Sequence, residues 1–199
     1  MRSKRLRVIY VRPSRYDDDG YVVRYWRGVL PSNTLSCLKT LTLNLAEAGE
    51  LGDDVEISVE IFDDSVQRVP VRKIIRRSKR GGESTVVGFA GVQTNQFSRA
   101  SDLALKFREA DLPVLIGGFH VSGVLAMFEE PSAELQMLLD RGVSLVPGEA
   151  ESPGLLAGVL RDALAGEMKS IYEPLQMPDI THAPIPQPDL GYLRRFVLK

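Results

Sequence analysis

Cysteine is almost absent: Cys37 is the only one in 199 residues. A lone thiol permits no intramolecular disulfide, no four-cysteine zinc site and no three-cysteine iron–sulfur motif. Cys37 reads instead as a small apolar residue on a helix. Histidine is nearly as scarce. His120 and His182 stand too far apart for the helical or hairpin spacing that pairs two imidazoles on a metal, so His120 reads as a loop hydrogen-bonding residue. Long apolar runs free of charge are missing, and Met1 to Arg7 leads into a strand pattern rather than a signal peptide. With 44% apolar residues and a formal net charge of −1, the chain is long enough for one well-buried core and a short appendage. A soluble, cytoplasmic, single-domain protein without a membrane partner is expected.

What is present alternates between strand and helix patterns. Leu6 to Val11 is a β-branched run and reads as a first strand, followed by a long polar connection to Leu30. Ser32 or Asn33 caps a predicted helix running to about Ala48, with Leu35, Leu38, Leu41, Thr42 and Leu45 on one stripe. Val55 to Ile61 alternates strictly, as a strand with one wet face does, and so belongs at a sheet edge. A short helix is predicted around Ile74 and Ile75. Thr85 to Ala90 and Leu112 to Ile116 are apolar without alternation, as parallel strands covered on both faces are, and Val143 to Val146 reads as a fifth strand. Helical stripes follow at about 98–110, 124–128 and 132–140, and Ser152-Pro153 is the expected start of a last helix ending at Gly166.

Five strands separated by helices predict a flavodoxin-like α/β fold: a doubly wound parallel sheet of order 2-1-3-4-5 with helices on both faces. That domain is expected over 1–167. From 168 to 199 the prolines at 174, 178, 184, 186 and 188 exclude helix, and the segment reads as an extended linker cut short of a second domain beyond Lys199.

The last three strands end in glycines: Gly91, the pair Gly117-Gly118, and Gly148. In a parallel sheet their loops open on one edge, where such folds bind ligands, and glycine lets the backbone approach a ligand closely. The usual nucleotide signals are missing there. Arg12-Pro13-Ser14-Arg15 after the first strand has no glycine, and no Walker A loop occurs, which disfavours a nucleotide-binding enzyme. Asp17-Asp18-Asp19 and Asp63-Asp64 invite a phosphoreceiver reading, but the third strand ends Ala90-Gly91-Val92-Gln93 with no acceptor aspartate; the acids read as solvated turn residues. Arg68 to Arg80 holds basic residues without an acidic or aromatic one, a solvated helix face rather than a nucleic-acid site. Tyr21, Tyr25 and Trp26 either pack the long loop or lie above the ligand edge, covering a flat ring or docking another domain.

The ordered segments Val87-Gly88-Phe89-Ala90-Gly91, Pro113-Val114-Leu115-Ile116-Gly117-Gly118-Phe119-His120 and Val146-Pro147-Gly148-Glu149-Ala150-Glu151 resemble the N-terminal cobalamin-binding domain of B12-dependent radical SAM enzymes. The likeness runs from about Leu6 to Gly166, and the proline-rich stretch resembles the linker that precedes the radical SAM barrel of that family. The resemblance implies a cobalamin platform, non-catalytic by itself. Its partners would be its own C-terminal barrel, which binds a 4Fe-4S cluster and S-adenosylmethionine, and a small-molecule substrate; methylation is a frequent outcome. Two family features are missing. No Asp-x-His-x-x-Gly motif lies between Arg12 and Leu30, so cobalt is expected to have no protein histidine, and Ala90-Gly91-Val92 replaces a Ser-x-Leu.

Under this reading Gly91, Val92, Gly117, Gly118 and Gly148 offer backbone contact to the corrinoid. Ser32, Asn33, Thr34, Gln93 and Thr94 are candidates for hydrogen bonds to its amides or tail. Phe119, His120 and Pro147 flank the floor, Glu149 is expected to cap the last helix, and Gly118→Val is expected to fill the cleft while keeping the fold. The competing reading is a domain of the same shape that binds no corrinoid and serves as a substrate-docking or interaction module.

Overall fold

A computed structural model of the protein describes residues 4–128, 130–179, 181, 184–187 and 189–197. Met1, His182, Pro188 and Lys199, named above, lie outside the described residues. Five strands, β1 (Lys4–Arg12), β2 (Val55–Asp63), β3 (Ser84–Phe89), β4 (Val114–Gly117) and β5 (Val143–Val146), form one parallel sheet of order β2-β1-β3-β4-β5. The expected flavodoxin-like order is therefore the observed one. Alternation puts β2 at the edge, and the two runs without alternation are the inner strands β3 and β4.

Successive residues of β1 face opposite sides, and each side has its own core. Ile9 and Val11 join Val87, Phe89, Ile116 and Leu145 under α2 (Val71–Lys79), α3 (Phe97–Arg108), α4 (Phe119–Met127) and α5 (Ala133–Asp140). Leu6, Val8 and Tyr10 join Val86 and Leu115 under α1 (Asn33–Glu47) and α6 (Leu155–Ala165). Ser32 caps α1 as expected, its hydroxyl accepting the Leu35 N–H at 3.4 Å. Of the basic α2 only Ile74 is buried, which fits a solvated charged face.

Two helix starts differ from expectation. Helix α4 begins at Phe119, five residues before the expected piece at Val124, because Gly118 with φ 133° turns the chain directly from strand into helix. Helix α6 begins at Leu155 rather than at Ser152-Pro153. The chain first makes two tight turns, Ser152 N–H to Glu149 O at 3.0 Å and Leu155 N–H to Ser152 O at 3.1 Å, and Gly154 in the left-handed region opens the helix. Glu149 therefore does not cap it.

Asp63 and Asp64 overturn the expectation of solvated turn residues: both are fully buried. Asp63 accepts from the Ser65 N–H at 3.0 Å, Arg12 Nη1 at 3.1 Å and the Tyr192 hydroxyl at 3.3 Å. Asp64 accepts from Arg24 Nη2 at 2.8 Å and Arg99 Nε at 2.7 Å. These partners come from β1, from the loop after it, from α3 and from the C-terminal helix α7 (Leu190–Leu193). Tyr192 also accepts the Ser32 N–H at 2.8 Å, and burial raises its phenol pKa.

The segment from 168, expected to run extended without helix, carries α7 near its end; Leu175, Met177 and Ile185 are exposed, but its described flanks lie against the domain. Leu145 N–H donates to Ser170 O at 2.8 Å and Tyr172 N–H to Leu145 O at 2.9 Å, covering the free edge of β5. At the far end Tyr192 and Phe196 are buried in the α1/α6 core, and Phe196 pairs with Gly28. Among the described residues no helix is long and apolar enough to cross a membrane.

Removing one partner of a buried ionic cluster leaves the others uncompensated. Asp64→Ala is expected to cost about 3–5 kcal/mol in urea unfolding, whereas Asp18→Ala in the exposed loop stays within about 0.5 kcal/mol.

Candidate functional site

A cavity of about 380 Å³ opens at the carboxyl ends of β1, β3, β4 and β5 and runs between α1 and α6. Gly91, Gly117, Gly118, Gly148 and Glu149 lie around it, with Asn33 and Thr34 from the first turn of α1. Sequence reading anticipated these seven. Its inner wall was not anticipated: Tyr10, Cys37, Gly88, Leu115, Leu156 and Val159. One signal for it was legible, since a lone glycine inside an otherwise β-branched strand marks a close approach. A Cβ on Gly88 would stand 3.0 Å from Leu115 Cδ1 and 3.1 Å from Tyr10 Cδ1 and narrow the slot.

The lining is mainly apolar, and its charged members, Glu149 and Glu151, are acidic; no lysine or arginine takes part. Tyr10 shares a 2.7 Å hydrogen bond with Thr42, and burial pushes its phenol up to about 12, so it presents a neutral ring to the cavity. Burial, and secondarily the Glu151 carboxylate, raises the Cys37 thiol pKa and keeps it in the neutral form. Such a site suits a largely neutral ligand with a flat apolar part. Among the described residues no group of three or more His, Cys, Asp or Glu is placed to hold a metal ion.

The remaining expected residues lie elsewhere. Ser32 is occupied by its caps. Val92 is fully buried, its N–H donating to Gly117 O at 3.1 Å and its carbonyl accepting from His120 N–H at 3.0 Å. Gln93 caps and Thr94 begins a single 3-10 turn, Thr94–Gln96, and neither lines the cavity. Phe119 points into solvent, and Pro147 is half-buried outside the lining. His120 is not the loop hydrogen-bonding group expected. Its ring lies on Phe97 with centroids 4.1 Å apart, and its Nε2 is buried without a partner. Tyr21, Tyr25 and Trp26 are exposed, Trp26 at 91%, so they do not pack the loop that carries them.

Gly118 has a structural duty beyond the cavity. At its φ of 133° a Cβ would land on the Val92 backbone nitrogen and lie 2.8 Å from the Gly91 carbonyl carbon. The expectation that Gly118→Val would fill the cleft and leave the fold intact is therefore corrected, since the obstruction is backbone rather than a flexible side chain. Comparison with family models, with curated proteins and with solved structures gives no match to the chain.

Gly118→Val is expected to destabilise by about 3 kcal/mol or more in denaturant melts, because strain and overlap act together. Gly123→Ala, on α4 with nothing within 4 Å of its Cβ, is expected to stabilise by about 0.5–1 kcal/mol. Desolvation lowers the His120 pKa, with Glu134 opposing. The unfolded chain then binds the proton more readily, so stability falls as pH drops below about 6.5. His120→Gln is expected to flatten that part of the pH–stability curve.

Proposed function

We propose that this domain is a corrinoid platform, the cobalamin-binding part of a radical SAM enzyme. The observation that carries the reading is that the last two of the three segments bearing the resemblance, 113–120 and 146–151, meet at one cavity. Gly117 and Gly118 come from the first, Gly148, Glu149 and Glu151 from the second, and the cavity continues inward past Gly88 to Val159. Its volume of about 380 Å³ suits a nucleoside-sized tail.

The donor set agrees with the ligand's chemistry. A nucleotide triphosphate needs cations, and the cavity lining has none. A cobalamin carries a single phosphodiester and a rim of neutral amides, for which Asn33 and Thr34 stand at the mouth. His120, expected among the corrinoid contacts, is turned onto Phe97 and is not among the lining residues. When bound, the corrinoid supplies methyl-transfer chemistry. Tyr10, Leu115 and Val159 would enclose its tail, and the glycines would let the backbone come close. An iron–sulfur cluster and S-adenosylmethionine belong in this reading to a partner barrel, and the proposed setting is the cytoplasm.

A docking module without a corrinoid is supported by one observation, the exposed Tyr25, Trp26, Leu30 and Phe119. Hydroxocobalamin separates the two readings. After mixing and desalting, the folded protein is expected to retain corrin absorbance at one equivalent, and Val159→Phe and Cys37→Phe, which fill the slot from α6 and α1, are expected to abolish retention without loss of helical circular dichroism. A folded wild-type protein that retains no corrin absorbance would leave the docking reading.

A further inference from the structure

A second cavity, of about 650 Å³, lies over the ends of β1 and β3, among residues not in the lining of the first. Its composition is opposite. Arg12, Arg15 and Arg27 line it together with the amides of Gln93 and Asn95. Arg12 uses one nitrogen on Asp63 at 3.1 Å, and its side chain remains 38% exposed. Arg15 and Arg27 have no carboxylate within salt-bridge distance among the described residues; Arg27 lies over the Trp26 ring at 5.3 Å. Asp63 and Asp64 are taken by Arg12, Arg24 and Arg99, and Asp17 accepts from the N–H groups of Asp19 and Tyr21.

Two guanidinium groups without a salt-bridge partner, Arg15 and Arg27, beside the partly exposed Arg12 and amide donors, form a receptor for a planar or tetrahedral oxyanion. Tyr25, Val29, Leu30 and Phe196 give the same space an apolar part, beside Ser14, Ser65 and Gln96. A concave site of this size, charged on one side and apolar on the other, fits a small molecule better than the backbone of a polymer. We propose that the second cavity binds a small organic oxyanion, a phosphate ester or carboxylate carried on a flat apolar body. The proposal does not depend on what occupies the first cavity.

Calorimetric titration of the full chain with phenyl phosphate, benzoate and inorganic phosphate tests it. Phenyl phosphate or benzoate is expected to bind at one equivalent and more tightly than inorganic phosphate, the stronger of the two naming the head group. Arg15→Gln and Arg27→Gln, both exposed, are each expected to weaken binding about tenfold, while Arg72→Gln on the basic face of α2 leaves it unchanged. Any of three results overturns the assignment: no binding of the three probes, equal loss in Arg72→Gln, or equal affinity for inorganic phosphate and phenyl phosphate.

Discussion

The buried Asp63-Asp64 pair is the interaction on which the upper edge of this protein depends. Two adjacent carboxylates out of water are costly unless each oxygen is satisfied. Here they collect Arg12 from β1, Arg24 from the following loop, Arg99 from α3, Ser65 from their own turn and Tyr192 from α7. The cost of burial is offset only when all these elements are in place together. The pair thereby fixes how the long first loop and the C-terminal helix sit on the sheet.

Both cavities follow from that arrangement. Tyr192 accepts the N–H of Ser32, the cap of α1, and so ties the start of the helix whose first turn brings Asn33 and Thr34 to the first cavity. Arg12 and Arg24 neutralise the pair, which leaves Arg15 and Arg27 unpaired along the second. One edge thus carries a mainly apolar slot and, separate from it, a hollow lined by three arginines.

Backbone packing sets the floor between them. Val92 donates to Gly117 and accepts from His120, so the turn after β3 lies directly on the start of α4. No side chain fits at Gly118 in that contact, which explains why a glycine pair follows β4 whatever ligand the edge holds. The glycines read as ligand contacts are thus also packing requirements, and Gly88, read only as part of a strand, lines the slot.

Sheet order, the edge position of β2 and the cap of α1 were legible in the chain, because periodicity and capping are local properties of consecutive residues. So was the gathering of Gly91, Gly117 and Gly148 on one edge, which parallel topology makes unavoidable. Asp63 and Asp64 were misread as solvated since their arginines lie 35 to 51 positions away in sequence. The docked Tyr192 and the inner wall from Tyr10 to Val159 were hidden for the same reason. Periodicity along the chain determined which faces are apolar and where strands end; which distant charge meets which, and how deep the space between α1 and α6 runs, was decided only when the sheet brought those residues together.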